Sequence, residues 1–557
     1  MKGNSVLVLW ILLAVLLSAC SGSGDEDNGC RVTYEYDWQA LIPGPGEEGY
    51  DADLAEVARI RDRQFHVFHT LPTGLNAEMS ISRDKTYKRQ ALIEFLQPGG
   101  GWDFESATGF DITGMVDSWW KVAGAYGGVG VAADAFRYGV MRDQCYPAEE
   151  VQRAREQLLA GLEGLHTAVA ITGGASIARG LANKNYPGAG KNEDLTPLFD
   201  GQGNPLPAEK DNGTWREDVS GLYPDYIWED SCSRDMLIGW VVGFGAVWEV
   251  IENDDEIDQQ VKDTMREDAL AVLENLKTVR DNGYDLELLD ADGRTTFHGY
   301  LNENNLDRIY IDGVQNGFHT IMALGVVAAL ADVADDPDMD RWLYDELIEE
   351  REFDVIARDN MLIINMEEVT NFSNYNMAFE GTWLALRHVT EDEDARANIR
   401  QALDVQLYDA PDKRFQPVEM EQTFFDLTWV AGMCDASSRW GCRHEVDEPA
   451  LERALRTLEE FPPPPFFEFE RTNCDEDELA SGTCIAEDGQ TELTVLGEVG
   501  RNGSLIVEQC LPMRLRGPSN YYWRSNPYKP NGGSDGPGVF AGPDFRFGYW
   551  MGRWTRK

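Results

Sequence analysis

Four carboxylates and one histidine carry the chemistry that this sequence suggests. Asp117, Asp235, Glu380, Asp426 and His319 each fall in or at the start of an apolar, helix-patterned segment, with aromatic and amide residues close by. Trp119 and Trp120 follow Asp117, and Tyr223, Tyr226, Trp228, Glu229 and Asp230 lead into Ser233-Arg234-Asp235. Asn316 precedes His319, Asn374 and Asn376 precede Glu380, and Tyr521, Tyr522, Trp523 and Arg524 sit together near the C-terminus. Carboxylates amid flat rings suit a sugar site: acids move protons, and rings stack on pyranose faces. For hydrolysis, one of Asp117, Asp235, Glu380 and Asp426 would protonate a glycosidic oxygen while another activates water, about 5–10 Å away. For elimination, His319 or a tyrosine would take the proton beside a uronate carboxylate held by Arg234 or Arg179. Arg179, Trp228, Arg234, Asn376 and Trp523 are the expected substrate-binding set.

Each of these residues also has a purely structural reading. Asp117 and Ser233 suit helix N-caps, and of the adjacent Trp119 and Trp120 one must face a core. Asn376 and Glu380 lie one turn apart and can bond across helices, and His319 can be a satisfied buried histidine. The Arg234-Asp235 couplet reads either as a clamp for a substrate carboxylate or as an ion pair closing the fold. No Ser-His-Asp motif, HExxH, phosphate loop, dinucleotide fingerprint or CxxC is present, so neither a metal nor a cofactor is expected.

The elements that would position these groups recur as helical pairs. An apolar, Gly- and aromatic-rich segment is followed by a charged amphipathic one: 116–141 then 147–170, 234–252 then 257–279, 312–333 then 339–358, 374–389 then 392–407, and 422–433 then 448–460. The first member of each pair suits a helix buried nearly all round; the second shows one apolar stripe. A sixth pair comes from 51–71 with either 545–553 or 85–96. Alternation on both sides of Asp292-Gly293 predicts a β-hairpin. Residues 461–540 are Gly-, Pro- and Tyr-rich loops behind the breaker Pro462–Pro465.

Six such hairpins give an all-α fold, an (α/α)6 toroid with a small β-hairpin and long loops. This alternation resembles that of the six-hairpin glycosidases and related polysaccharide lyases over about 50–557. The segments Asn374-Tyr375-Asn376-Met377-Ala378-Phe379-Glu380 and Gly548-Tyr549-Trp550-Met551-Gly552-Arg553-Trp554 also resemble an uncharacterised family of exported toroid proteins. The resemblance implies a glycan ligand in a bowl at the helix starts, acted on by a glycoside hydrolase or simply bound by an envelope protein without catalysis.

The N-terminus has its own reading. Lys2 and the apolar run Val6–Leu17 suit a signal peptide and are too short to span a bilayer. The run ends in Leu17-Ser18-Ala19-Cys20, which resembles the lipobox of bacterial lipoproteins. That implies a signal peptide over 1–19, lipid on Cys20, a tether over 20–50 and a single domain over 51–557. Ser21 after the cysteine implies sorting to the outer membrane of the cell envelope. Lipid is then the expected membrane attachment, and a monomer the expected state.

Composition bounds the partners. With 48 Lys and Arg against 98 Asp and Glu, the net charge is −50. Such a field repels phosphate backbones, so nucleic acid is not an expected partner. It also disfavours polyanionic glycans, unless a basic pocket is set into the acidic surface. Besides Cys20, eight cysteines remain, an even count that suits disulfides in an exported chain. Cys434 with Cys442 and Cys474 with Cys484 read as loop staples; Cys30, Cys145, Cys232 and Cys510 leave three pairings open.

Overall fold

Apolar residues on all sides of a helix demand neighbours on all sides, and six helices in this chain meet that demand together. The computed structural model describes residues 39–556 apart from 145, 175, 205, 207–212, 308, 412, 434–447 and 476–480. The expected signal peptide, Cys20, Cys30, Cys145, the first part of the expected tether and the expected Cys434–Cys442 staple lie outside the described residues. In Arg234–Ile251 every residue except Asp235 is buried. Gly317–Ala334 is apolar and long enough to cross a bilayer by composition, yet 94% of that stretch is buried inside the protein.

The six core helices are Gly124–Asp143, Arg234–Ile251, Gly317–Ala334, Phe372–His388, Thr423–Met433 and Pro543–Trp554. Each packs on the next, and the last returns to the first, so the contacts close a cycle. Amphipathic helices flank it: Ala148–Ala170, Gln259–Lys277, Glu393–Ala402 and Glu448–Glu459 follow their core helices in the chain. The expected helix 339–358 is instead three short pieces, broken where Glu352 adopts a left-handed conformation at φ 53°.

The sixth pair joins the two ends of the chain. Ala52–Gln64 packs on the C-terminal helix. Between them lies a buried charge network in which Arg546 Nε donates to Asp62 Oδ1 at 2.7 Å and Arg546 Nη2 to Asp134 Oδ1 at 2.5 Å. Arg137 adds an ion pair to Asp62, and Trp550 donates a hydrogen bond to it. Well before residue 51, Leu41 and Ile42 are buried and donate backbone bonds to Thr555 and Gly552. The packed chain thus begins about ten residues earlier than the expected tether boundary.

Backbones approach closely where glycines face one another. A Cβ on Gly128 would collide with the Gly239 carbonyl, and one on Gly325 with that of Gly381. These positions let the Gly124, Arg234, Gly317 and Phe372 helices pack at short range.

A six-stranded antiparallel sheet corrects the all-α expectation. Its order is Gly538–Val539, Ala77–Ser80, Ser118–Ala123, Gly180–Asn183, Tyr226–Glu229, Trp215–Glu217. The first core helix therefore starts at Gly124, and Asp117, Trp119 and Trp120 precede it on or beside a strand. Tryptophan and valine favour that pleated surface: Trp119 and Val122 face inward, and Trp120 is exposed. The hairpin around Asp292-Gly293 forms as its alternation predicts, Glu287–Leu289 pairing with Thr295–Tyr300.

Cys474 and Cys484 form a disulfide. Cys232 and Cys510, expected to pair with other cysteines, are free thiols. Cys232 is enclosed in the core, where Sγ approaches the Ser233 carbonyl at 3.8 Å. Cys510 Sγ lies 3.5 Å from Arg516 Nη2.

Candidate functional site

The starts of two core helices open on one cleft of about 590 Å³. Ser233, Arg234 and Asp235 line it from the Arg234–Ile251 helix, and Asn371, Ser373, Asn374 and Met377 from the Phe372–His388 helix. The strand Thr295–Tyr300 supplies His298, and loops and single turns supply Arg179, Asp307, Ile363, Met366, Val369, Arg501 and Arg524. Its walls are mostly hydrogen-bonding groups, with Ile363, Met366, Val369 and Met377 as the apolar lining residues.

Ser233 was expected to cap its helix through its side chain, and it does not. Its hydroxyl instead accepts from Arg179 Nη1 at 2.8 Å and donates to Asp235 Oδ1. Asp235 also faces Arg524, with Nη2 3.2 Å from Oδ2. Burial pushes the Asp235 carboxyl up, but Arg524, Ser233, Arg179 and Arg234 together outweigh it and hold the group below the usual carboxylate range. Arg524 further donates from Nε to Ser373 Oγ at 2.8 Å and from Nη1 to the Tyr126 hydroxyl at 3.2 Å. A loop more than a hundred residues distant in sequence thus ties both helix starts together.

Arg234 is buried, 8% exposed. Its guanidinium reaches Asp307 Oδ1 at 3.2 Å and His319 Nε2 at 3.5 Å. Burial, reinforced by Arg234, lowers the His319 pKa to about 3, so the ring is neutral at physiological pH. Its Nδ1 faces the Asn302 carbonyl at 3.3 Å, which places the proton on Nδ1 and leaves Nε2 to accept from Arg234. His319 thus lies behind Arg234, with Nε2 facing that guanidinium, and does not itself line the cleft.

Glu380 lies one turn further along its helix than Asn376 and Met377 and is fully buried. Burial raises its pKa to about 8, against the hydrogen bonds from Tyr521 and Asn376 and the charge of Arg524. The Tyr521 hydroxyl lies 3.2 Å from Oε1, and Oε2 has no hydrogen-bond partner. Glu380 is thus a proton-holding carboxyl near neutral pH, and Asp235 an ionised one; both sense the charge of Arg524.

The remaining expected residues stand elsewhere. Asp117 binds Lys85, Lys88 and the Ser82 backbone just before the interior strand Ser118–Ala123; burial raises its pKa, but these partners pull it below the ordinary range. Asp426 is locked between Tyr408 and Arg453, and burial raises its pKa to about 7. Trp228 is fully buried and donates to the Glu217 carbonyl at 2.9 Å. Trp523 is buried and stacked on Phe424 at 4.3 Å between ring centroids. Asn376 is buried beside Glu380 and does not line the cleft. Large apolar rings are used up in the core because burying them is where they contribute most. No aromatic residue lines the cleft among the described residues.

Arg501, Asp307 and Ser373 were not singled out in the sequence. Ser373 falls in an Asn-Phe-Ser triplet that reads only as a glycosylation acceptor. Arg501 lies in the loop-rich 461–540 region, where local pattern says nothing of direction. A count of arginines outside the helical stripes is the one signal that would have raised Arg501 and Arg524 together.

No protein-family model matches this chain, and no curated protein matches it in sequence. Among solved structures, the chain is similar to the cellulase Cel9M of C. cellulolyticum, at 10% identity and a TM-score of 0.36, over 89% of this chain and 97% of that one.

Proposed function

We propose that this chain is an (α/α)6 toroid, held at the outer membrane by lipid on Cys20, whose cleft binds a saccharide. The lipobox-like Leu17-Ser18-Ala19-Cys20 supports the anchor, and the closed cycle of six core helices with flanking partners supports the toroid. The observation that carries the ligand reading is the cleft itself. Its volume falls in the range of small-molecule sites. Its walls offer Arg, Ser, Asn and Asp groups to hydroxyls, and Ile363, Met366, Val369 and Met377 offer apolar surface to the C–H groups of a sugar ring.

Hydrolysis is the second reading, favoured by one observation. Asp235 and Glu380 have pKa values driven apart by their surroundings, as an acid and its partner base require. Against it, Glu380 is fully buried, and the other expected carboxylates are engaged elsewhere. Binding therefore stands first. The test is a glycan array probed with the full chain in detergent, with reducing ends assayed in parallel. Binding without new reducing ends supports the first reading, and Asp235-dependent release of reducing ends supports the second. Failure to bind any glycan on the array would sink both.

A further inference from the structure

Across the whole chain, acidic residues outnumber basic ones by 98 to 48. Among the residues lining the cleft the ratio is reversed: Arg179, Arg234, Arg501 and Arg524 stand against two carboxylates, Asp235 and Asp307, with Glu229 behind Arg179 at 3.7 Å. We infer that the ligand of this cleft is anionic, a saccharide bearing carboxylate or sulfate groups, seated against these four guanidinium groups. The inference rests on the saccharide reading above and adds the charge of the ligand to it.

Three features support it. Arg234 is 8% exposed, and the charged partner shown for it is Asp307, whose own side chain is 58% exposed at the rim. Its inner neighbour, His319, is neutral. The second carboxylate near Arg234, Asp235, is shared with Arg524 and Arg179, so an incoming anion adds counter-charge to a buried guanidinium. Arg501, at the surface, is held through Nη1 by the amide of Asn371 at 2.9 Å, which aims it without neutralising it. Finally, the Arg234 and Phe372 helices, 18 and 17 residues long, begin at the cleft with no side-chain cap bond. Their first N–H groups and dipoles add to the positive field. A basic pocket in an acidic shell also selects: the shell slows the approach of long polyanions, while a short acidic oligosaccharide reaches the arginines.

The test uses calorimetric titration of the detergent-solubilised full chain with four probes: tri-galacturonate, a sulfated disaccharide, cellotriose and citrate. An acidic saccharide should bind at least tenfold tighter than cellotriose, and its affinity should fall with added salt. Arg501→Gln, at an exposed position, should keep the melting temperature and weaken acidic-saccharide binding roughly tenfold. Arg179→Gln should weaken it similarly. Whether the uronate or the sulfated probe binds tells which oxyanion the cleft takes. Cellotriose binding as tightly as the acidic probes would overturn the inference and leave the saccharide reading intact. Citrate binding that depends on Arg501, with no saccharide bound, would uphold the charge preference and overturn the saccharide reading.

Discussion

Arg524 reaches from the C-terminal loops to Asp235, its Nη2 3.2 Å from Oδ2, at the start of the Arg234–Ile251 helix. The same guanidinium bonds Ser373 at the start of the Phe372–His388 helix. It therefore pins two helix mouths to one loop and holds the cleft in shape. Hydrogen bonds to charged groups contribute about 1.5–3 kcal/mol, so Arg524→Met should cost about 2 kcal/mol in urea denaturation. Because the loss includes removing the closest cation from the buried Asp235 carboxylate, the added change Asp235→Asn should recover part of it. Strictly additive losses would show that the two residues are not coupled.

Buried carboxyls give the stability a pH signature. Burial raises Glu380 to about 8, Asp426 to about 7 and Asp544 to about 6. Unfolded, these groups titrate near the ordinary 4.5 for Glu and 3.8 for Asp, so between those values and the raised ones the folded chain holds the extra protons. Their contribution is fully present below about pH 4 and is lost as pH rises through the folded values. Asp235, lowered, behaves oppositely: its contribution is present above 3.8 and lost as pH falls. The melting temperature should therefore drop from pH 5 to pH 8.5, and Glu380→Gln should flatten the upper part of that drop. An unchanged slope in the variant would show that Glu380 does not titrate there.

Close backbone packing predicts a sharp asymmetry between glycines. Gly128→Ala places a methyl against the Gly239 backbone, which cannot rotate away, and should destabilise by at least about 2 kcal/mol. Gly101→Ala meets nothing within 4 Å and should stay within about 0.5 kcal/mol of the parent. Equal effects in chemical denaturation would contradict the helix contact.

Reduction should act locally. The Cys474–Cys484 bond closes a ten-residue separation within a small satellite core with Ala486, Leu493, Val507, Leu511 and Leu515. Closing such a loop contributes about 2–3 kcal/mol, confined to that satellite. Hydrogen exchange after reduction should accelerate in 483–515 while the six core helices stay protected. Global exchange at mild temperature would contradict this.

The proposed anchor predicts a fractionation result. Cys20→Ser should move the protein from the membrane pellet to the soluble fraction, since no acyl chain remains to hold it. Persistent membrane association would exclude lipid as the attachment.

How far the sequence could be read differs by element. Arg234–Ile251 is legible to within a residue because its apolar character is continuous and its partner carries a clean stripe. Ser118–Ala123 was not legible: its Trp-Trp-Lys-Val run abuts a glycine-rich helix, and an apolar run that short has no period of its own. Arg179, Arg234 and Asp235, which each break an apolar or glycine-rich stretch, do line one cleft. Trp228 and Trp523 are buried and do not line the cleft; a tryptophan beside acids reads alike in sequence whether it faces a cavity or a core.

By itself, the amino-acid order determined the succession of helix pairs, the hairpin at Asp292-Gly293 and the Cys474–Cys484 staple, all of which depend on residues near one another in the chain. The tertiary structure alone decided which charges meet. Arg524 and Asp235 are nearly three hundred residues apart, and Arg501 and Asn371 over a hundred. Local periodicity carries no information about such pairings, because they are set by how the helix starts converge. That convergence turned a strongly acidic chain into one with a basic cleft.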